Sequence, residues 1–346
     1  MRQLALVFLT LSLPLAALAQ TPPDLVAKGD AKKVHGDFKG AIADYTQAIA
    51  SDPKNIRAYL ARASVLSLEG NYVAAIKDDT RALVLDPKNA IAYSNRGNAR
   101  TSQGDLTRAL ADYTQAIALD PHHVRAFINR GNVKNLQKKY SAAIVDYTAA
   151  IALDPKNAAA FYDRGGAKKS IGDYAGAKVD YSEAISLNPP DVPAYINRAV
   201  LEMAQKNWSA ATADLTKCLS LLPAERQAYP RIYLWVIAVK QGQTENATHD
   251  LADATKAGVK SLSETWGWQI GQYLTGQMDE ATFLASAASF QAKQDKSQKA
   301  KAYYFAGLKR EIAGDKTGAA KLFHQCIATG NPSLHEYILA QEELKP

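Results

Sequence analysis

The chain has 346 residues and carries a formal charge of +7, from 41 Lys and Arg against 34 Asp and Glu. Its charges alternate along the chain without basic blocks, which excludes the electrostatic footprint of a nucleic-acid binder and favours acidic partners or anionic envelope surfaces. Ala, Leu, Asp and Lys dominate and runs of β-branched residues are few, so an all-α protein is expected.

At the N-terminus, Arg2 precedes an apolar run that closes on Ala17, Leu18 and Ala19. This is the layout of a cleavable secretory signal peptide over residues 1–19, with Gln20 as the new N-terminus. Thr10, Ser12 and Pro14 interrupt the run, and a spanning helix needs about 20 apolar residues, so cleavage is favoured over anchoring. The only cysteines are Cys218 and Cys326, so no lipid-attachment Cys follows the run. A periplasmic or secreted mature chain without a transmembrane segment is expected.

From residue 20 onward the chain repeats itself. Asp52 to Asn55, Asp86 to Asn89, Asp120 to His123, Asp154 to Asn157 and Asn188 to Asp191 recur every 34 residues, and Pro223 continues the spacing. With these prolines at position 32, six units begin at Pro22, Ile56, Ala90, Val124, Ala158 and Val192. Position 8 is small (Gly29, Ala63, Gly97, Gly131, Gly165, Ala199), as are position 20 (Ala143 in the fourth unit) and position 27 (Ala150, with Cys218 in the sixth). Small residues there let two antiparallel helices approach closely, while aromatic residues at position 4 and at position 24 (Tyr45, Tyr113, Tyr147, Tyr181) fill the remaining space. A Gly-Asp or Gly-Asn turn, as in Gly70-Asn71 and Gly104-Asp105, divides the helices of a unit, and the proline ends the unit.

A 34-residue period with this pattern resembles the tetratricopeptide repeat (TPR) family, in the variant with an Asn-Arg-Gly signature, here Asn95-Arg96-Gly97 and Asn129-Arg130-Gly131. The resemblance implies a right-handed superhelical solenoid of antiparallel helix pairs. Six units are placed over residues 20–225 and degenerate helix pairs over 226–299. A seventh unit and a capping helix follow over 300–346, with Tyr303, Gly307, Ala319, Phe323 and Cys326 in register. That tail resembles NlpI-like bacterial envelope proteins. Cys218 and Cys326 both take the small buried slot at position 27 and are expected to be free packing thiols.

At 100 degrees per residue, positions 2, 6, 9 and 13 lie opposite the buried face and line the inner wall of such a superhelix. Asn95, Asn129, Asp163 and Asn197 occupy position 6, and Asn98 and Asn132 occupy position 9. An Asn amide has donors and an acceptor and so can bracket a peptide bond. The resemblance implies this use, a ladder along a peptide backbone, and Asp163 interrupts the row or selects a basic partner group. Basic residues at position 7 (Lys28, Arg62, Arg96, Arg130, Arg164, Arg198) face Asp at position 23 in all six units. A repeated ion pair between helices is favoured over an anion channel.

Trp266 and Trp268 read first as packing residues and second as an aromatic platform, and His122 and His123 as solvated loop residues rather than metal ligands. No nucleophile elbow, phosphate loop, HExxH or Cys/His cluster is present. The reading is therefore an exported, non-enzymatic scaffold without cofactor or metal. It binds an extended peptide or protein partner in the cell envelope, as a monomer or weak homodimer. The alternative is an enzyme accessory or glycan-binding envelope protein that uses the Trp266 and Trp268 region.

Overall fold

The structure, a computed structural model, describes residues 21–257, 266–287 and 292–346; the expected signal peptide lies outside the described residues. These residues form α-helices and one short 3-10 turn, with no strand among them. They divide into two compact units at Asn129 and Arg130.

The first unit contains α1 (Pro22–Val34), α2 (Phe38–Ser51), α3 (Ile56–Leu68), α4 (Tyr72–Leu85), α5 (Ala90–Ser102) and α6 (Leu106–Leu119). Odd and even helices are the first and second helices of successive 34-residue units, and each packs on the next. The helices start where side-chain oxygens replace missing backbone acceptors. Asp37, Asn55, Asn71, Asn89 and Asp105 each accept from a backbone N–H three residues on. Between the helices of a pair the chain reverses at Gly36, Gly70 and Gly104, with φ between +77° and +83°, a region closed to most side chains.

Tyr at position 24 explains Gly at position 8. A Cβ on Gly97 would lie 2.7 Å from Cε1 of Tyr113, and one on Gly29 would lie 2.5 Å from Cε1 of Tyr45. In the second pair Ala63 stands at position 8, and position 24 is the smaller Asp79.

Helix α7 (Val124–Leu136) carries the division between the units. The second unit continues with α8 (Tyr140–Leu153), α9 (Ala158–Ser170), α10 (Tyr174–Leu187), α11 (Val192–Ala204) and α12 (Trp208–Leu221). It continues through α13 (Ala228–Lys240), α14 (Thr244–Ala257), α15 (Trp266–Leu274), α16 (Glu280–Ser286), α17 (Ala292–Ile312), α18 (Lys316–Ala328) and α19 (His335–Glu343). Helix α17 runs unbroken through residue 300, where the sequence reading begins a seventh unit, so no element boundary falls there. Gly307 meets Phe323 as Gly131 meets Tyr147, with a Cβ 2.7 Å from the ring in each case. Helix α19 packs on α11 and α17 as well as on α18, which carries the end of the chain back onto the sixth repeat. Cys218 and Cys326 are free and fully buried.

Candidate functional site

The ion pairs between the two helices of each repeat set the frame. Arg62, Arg96, Arg130, Arg164 and Arg198 hold Asp78, Asp112, Asp146, Asp180 and Asp214 at 2.7–2.8 Å, while Lys28 stands 3.8 Å from Asp44. The aspartates are all buried. Arg62, Arg164 and Arg198 also reach a hydroxyl at position 25 of the preceding repeat, at 2.9–3.2 Å. The arginines therefore tie helices and repeats together, as the structural reading of the row expects.

In the first unit, Asn95 is half-buried and has no hydrogen-bond partner among the described residues. Asn98 is exposed, and its Oδ1 accepts from the Tyr113 hydroxyl at 2.8 Å and from Nδ2 of Asn129 at 2.8 Å. Asn129 thus keeps its acceptor and one donor proton, and Asn98 keeps both donors. The same link recurs in the second unit, where the Tyr147 hydroxyl donates to Oδ1 of Asn132 at 2.7 Å. In the first repeat the acceptor is Asp30, which takes the Tyr45 hydroxyl at 2.8 Å. Sequence reasoning missed these crosslinks, although the constant separation of 15 residues carries their signal.

Asp163 is half-buried and, among the described residues, makes no hydrogen bond or ion pair. Burial pushes its carboxyl up to about 6.

Asn197 departs from the exposed position expected of it: it is buried, 8 % exposed. Its Oδ1 accepts from Nζ of Lys169 at 2.6 Å and stands 3.1 Å from Nε2 of His335, and its Nδ2 donates to Pro193 O and the Tyr162 hydroxyl. The cause is α19. His335 also meets the Tyr233 hydroxyl at 3.1 Å, and that hydroxyl donates to Glu336 at 2.9 Å. Burial and the neighbouring cations Lys169 and Lys301 hold the His335 ring well below the usual imidazole range. Asn197 is therefore an anchor for the C-terminal helix, and the open amides are Asn95, Asn98, Asn129 and Asn132.

Trp266 is buried and stacks on Phe283 at 5.3 Å, whereas Trp268 is half-buried, so Trp266 offers no platform. A second residue missed in the sequence is Asp79. It is 1 % exposed, neither carboxylate oxygen has a partner, and burial beside Asp78 raises its carboxyl to about 8. Its signal is an acid in a slot that is otherwise aromatic or Leu. No three His, Cys, Asp or Glu side chains gather as a metal site among the described residues, and no helix there is long and apolar enough to cross a membrane.

This geometry defines a helical-repeat protein whose first helices carry partly exposed amides at repeat spacing. Family profiles of the tetratricopeptide repeat match residues 26–90, 90–123, 131–172 and 158–191; the chain is a tetratricopeptide repeat protein. No curated protein matches it. Among solved structures it is similar to a tetratricopeptide repeat protein from Parabacteroides merdae, at 22% identity, covering 74% of this chain and 97% of that one with a TM-score of 0.51. It is also similar to pilF from Pseudomonas aeruginosa, at 19% identity, covering 60% of this chain and 94% of that one with a TM-score of 0.54. Both likenesses are of fold. A chain built of such repeats is a protein-interaction scaffold.

Proposed function

We propose that this protein is an exported, non-enzymatic scaffold that holds an extended peptide segment of a partner along the first helices of its repeats. The reading is carried by Asn95 and Asn129, at the same register position of consecutive repeats. Asn95 has both ends of its amide unengaged, and Asn129 is steadied by its bond to Asn98. Amides held at repeat spacing grip a backbone while leaving the partner's side chains free. The arginine row, spent on buried aspartates, and the packing roles of the small residues leave little sequence from which to build a catalytic centre.

Export rests on residues 1–19, and with it a periplasmic place among envelope proteins. The glycan-binding alternative loses its main support with the burial of Trp266. The test is a selection of unstructured dodecapeptides from a random library on the full chain, followed by photo-crosslinking of the bound peptide. Crosslinks on α5 and α7 support the reading; crosslinks confined to the second helices, or to the region of Trp268, overturn it.

A further inference from the structure

The fifth repeat breaks the pattern of its neighbours at two positions. It has Asp163 where the third and fourth have Asn95 and Asn129, and Gly166 where they have Asn98 and Asn132. Each change removes a hydrogen bond. The Tyr147 hydroxyl donates to Asn132, but Tyr181, in the same slot of the fifth repeat, faces Gly166, which has no side chain to accept. A Cβ on Gly166 would come no nearer to anything than 3.9 Å from the Tyr181 hydroxyl, so the place where a side chain would begin is open. Asn129 donates to Asn98 of the preceding repeat, but an ionised Asp163 has no proton for Asn132.

The carboxylate is also left without a counter-charge. Arg164 and Lys168 are both spent on Asp180, at 2.7 and 2.9 Å, and Lys169 is tied to Asn197 at 2.6 Å. What surrounds Asp163 is phenolic: Tyr147 from α8, Tyr162 from its own helix and Tyr181 from α10 all feel its charge, and all three hydroxyls titrate above neutral pH. The rings of Tyr162 and Tyr181 lie 5.8 Å apart. The acid, the open place at Gly166 and the tyrosines all lie within the second unit.

We propose that this notch is a specificity-determining subsite that takes a primary ammonium, the side chain of a lysine in a bound peptide segment. The proposal rests on the peptide-binding reading above and names what that peptide carries. The carboxylate supplies the charge, the free phenol oxygen of Tyr181 a further acceptor, and the rings a cation-attracting face. A compact ammonium suits an opening left by one missing side chain, whereas a guanidinium is planar and broad. Because Asp163 ionises near pH 6 when empty, the preference for lysine holds above that pH and fades below it.

The test titrates the full chain with two pentapeptides, acetyl-Gly-Ala-Lys-Ala-Gly-amide and its norleucine counterpart, at pH 7.5 and pH 5.0. Wild type is expected to bind the lysine peptide about tenfold more tightly at pH 7.5, or about 1.4 kcal/mol, with the preference falling toward parity at pH 5.0. Asp163→Asn, which installs the residue of the third and fourth repeats and so keeps the fold, is expected to show no preference at either pH. Equal binding of both peptides by wild type, no binding of either, or a lysine preference that survives in Asp163→Asn overturns the proposal. If equal binding is weakened by loss of Asn95 and Asn129, the groove stands and only the notch falls. If a lysine preference is untouched by their loss, the notch stands without the groove.

Discussion

Arg164→Met separates a structural arginine row from one that is available to anions. In the native chain Nη2 of Arg164 donates to Oδ1 of Asp180 at 2.7 Å and Nε donates to Oδ2 at 2.9 Å, while Nη1 reaches Thr148 at 3.2 Å. The Asp180 side chain is only 1% exposed. Methionine keeps most of the apolar stem and removes the fork, which leaves Oδ1 buried without a donor. Breaking a buried pair costs about 3–5 kcal/mol when nothing replaces it, but Lys168 still holds Oδ2 at 2.9 Å. A loss of about 2–4 kcal/mol is therefore expected, read from urea unfolding followed by circular dichroism, with hydrogen exchange locating the loosened amides in α9 and α10. Arg164→Met combined with Asp180→Leu should cost less than the sum of the single changes, because the second removes the stranded carboxylate. A loss under about 1 kcal/mol with additive single changes would mean a solvated pair of the ordinary surface kind, and the reasoning would fail.

Gly97→Ala gains about 1 kcal/mol of helix propensity, but its Cβ would lie 2.7 Å from the Tyr113 ring. Overpacking costs about 1–3 kcal/mol, so the melting temperature should fall, and a rise would refute the close approach. Asn197→Ala strands Lys169 and His335 and should destabilise the chain by about 1–3 kcal/mol, with faster hydrogen exchange in α19; unchanged exchange there would show that Asn197 does not anchor that helix. The carboxyl of Asp79 is raised to about 8 from 3.8, so its native form favours the proton. Its contribution to stability is complete below about pH 4 and is lost as the pH rises toward 8. Asp79→Leu, matching Leu215 of the sixth repeat, should stabilise the chain at pH 7.5 by on the order of 2–4 kcal/mol and far less near pH 4. Melts with a gain independent of pH would contradict this.

Much of the fold can be read in the sequence because each repeat meets the same local demands. The Asn and Asp caps, the left-handed Gly after α1, α3, α5 and α9 and the pairing of Gly131 with Tyr147 all follow from residues within one 34-residue period. The ion pair between Arg164 and Asp180 is legible for the same reason. The burial of Asn197 is not. Its partner His335 lies 138 residues away, and nothing in the period of the sixth repeat announces that a helix will cover it. The candidate amides were legible in outline, since Asn95 and Asn129 lie at the expected register with hydrogen-bonding capacity unused. The hydroxyl links that consume one end of Asn98 and Asn132 depend on the reach of a tyrosine across the helix pair, and that reach is set by the packing distance.

The central claim is that the amides at position 6 grip a peptide backbone, and the double variant Asn95→Ala with Asn129→Ala tests it most directly. Neither side chain packs in the core, and Ala is the better helix former, so circular dichroism should show an intact fold. In equilibrium titration against the tightest library peptide, a loss of about 1 kcal/mol for each amide predicts binding roughly thirtyfold weaker than wild type. Unchanged affinity in a folded double variant would contradict the account and place the binding surface elsewhere on the repeats.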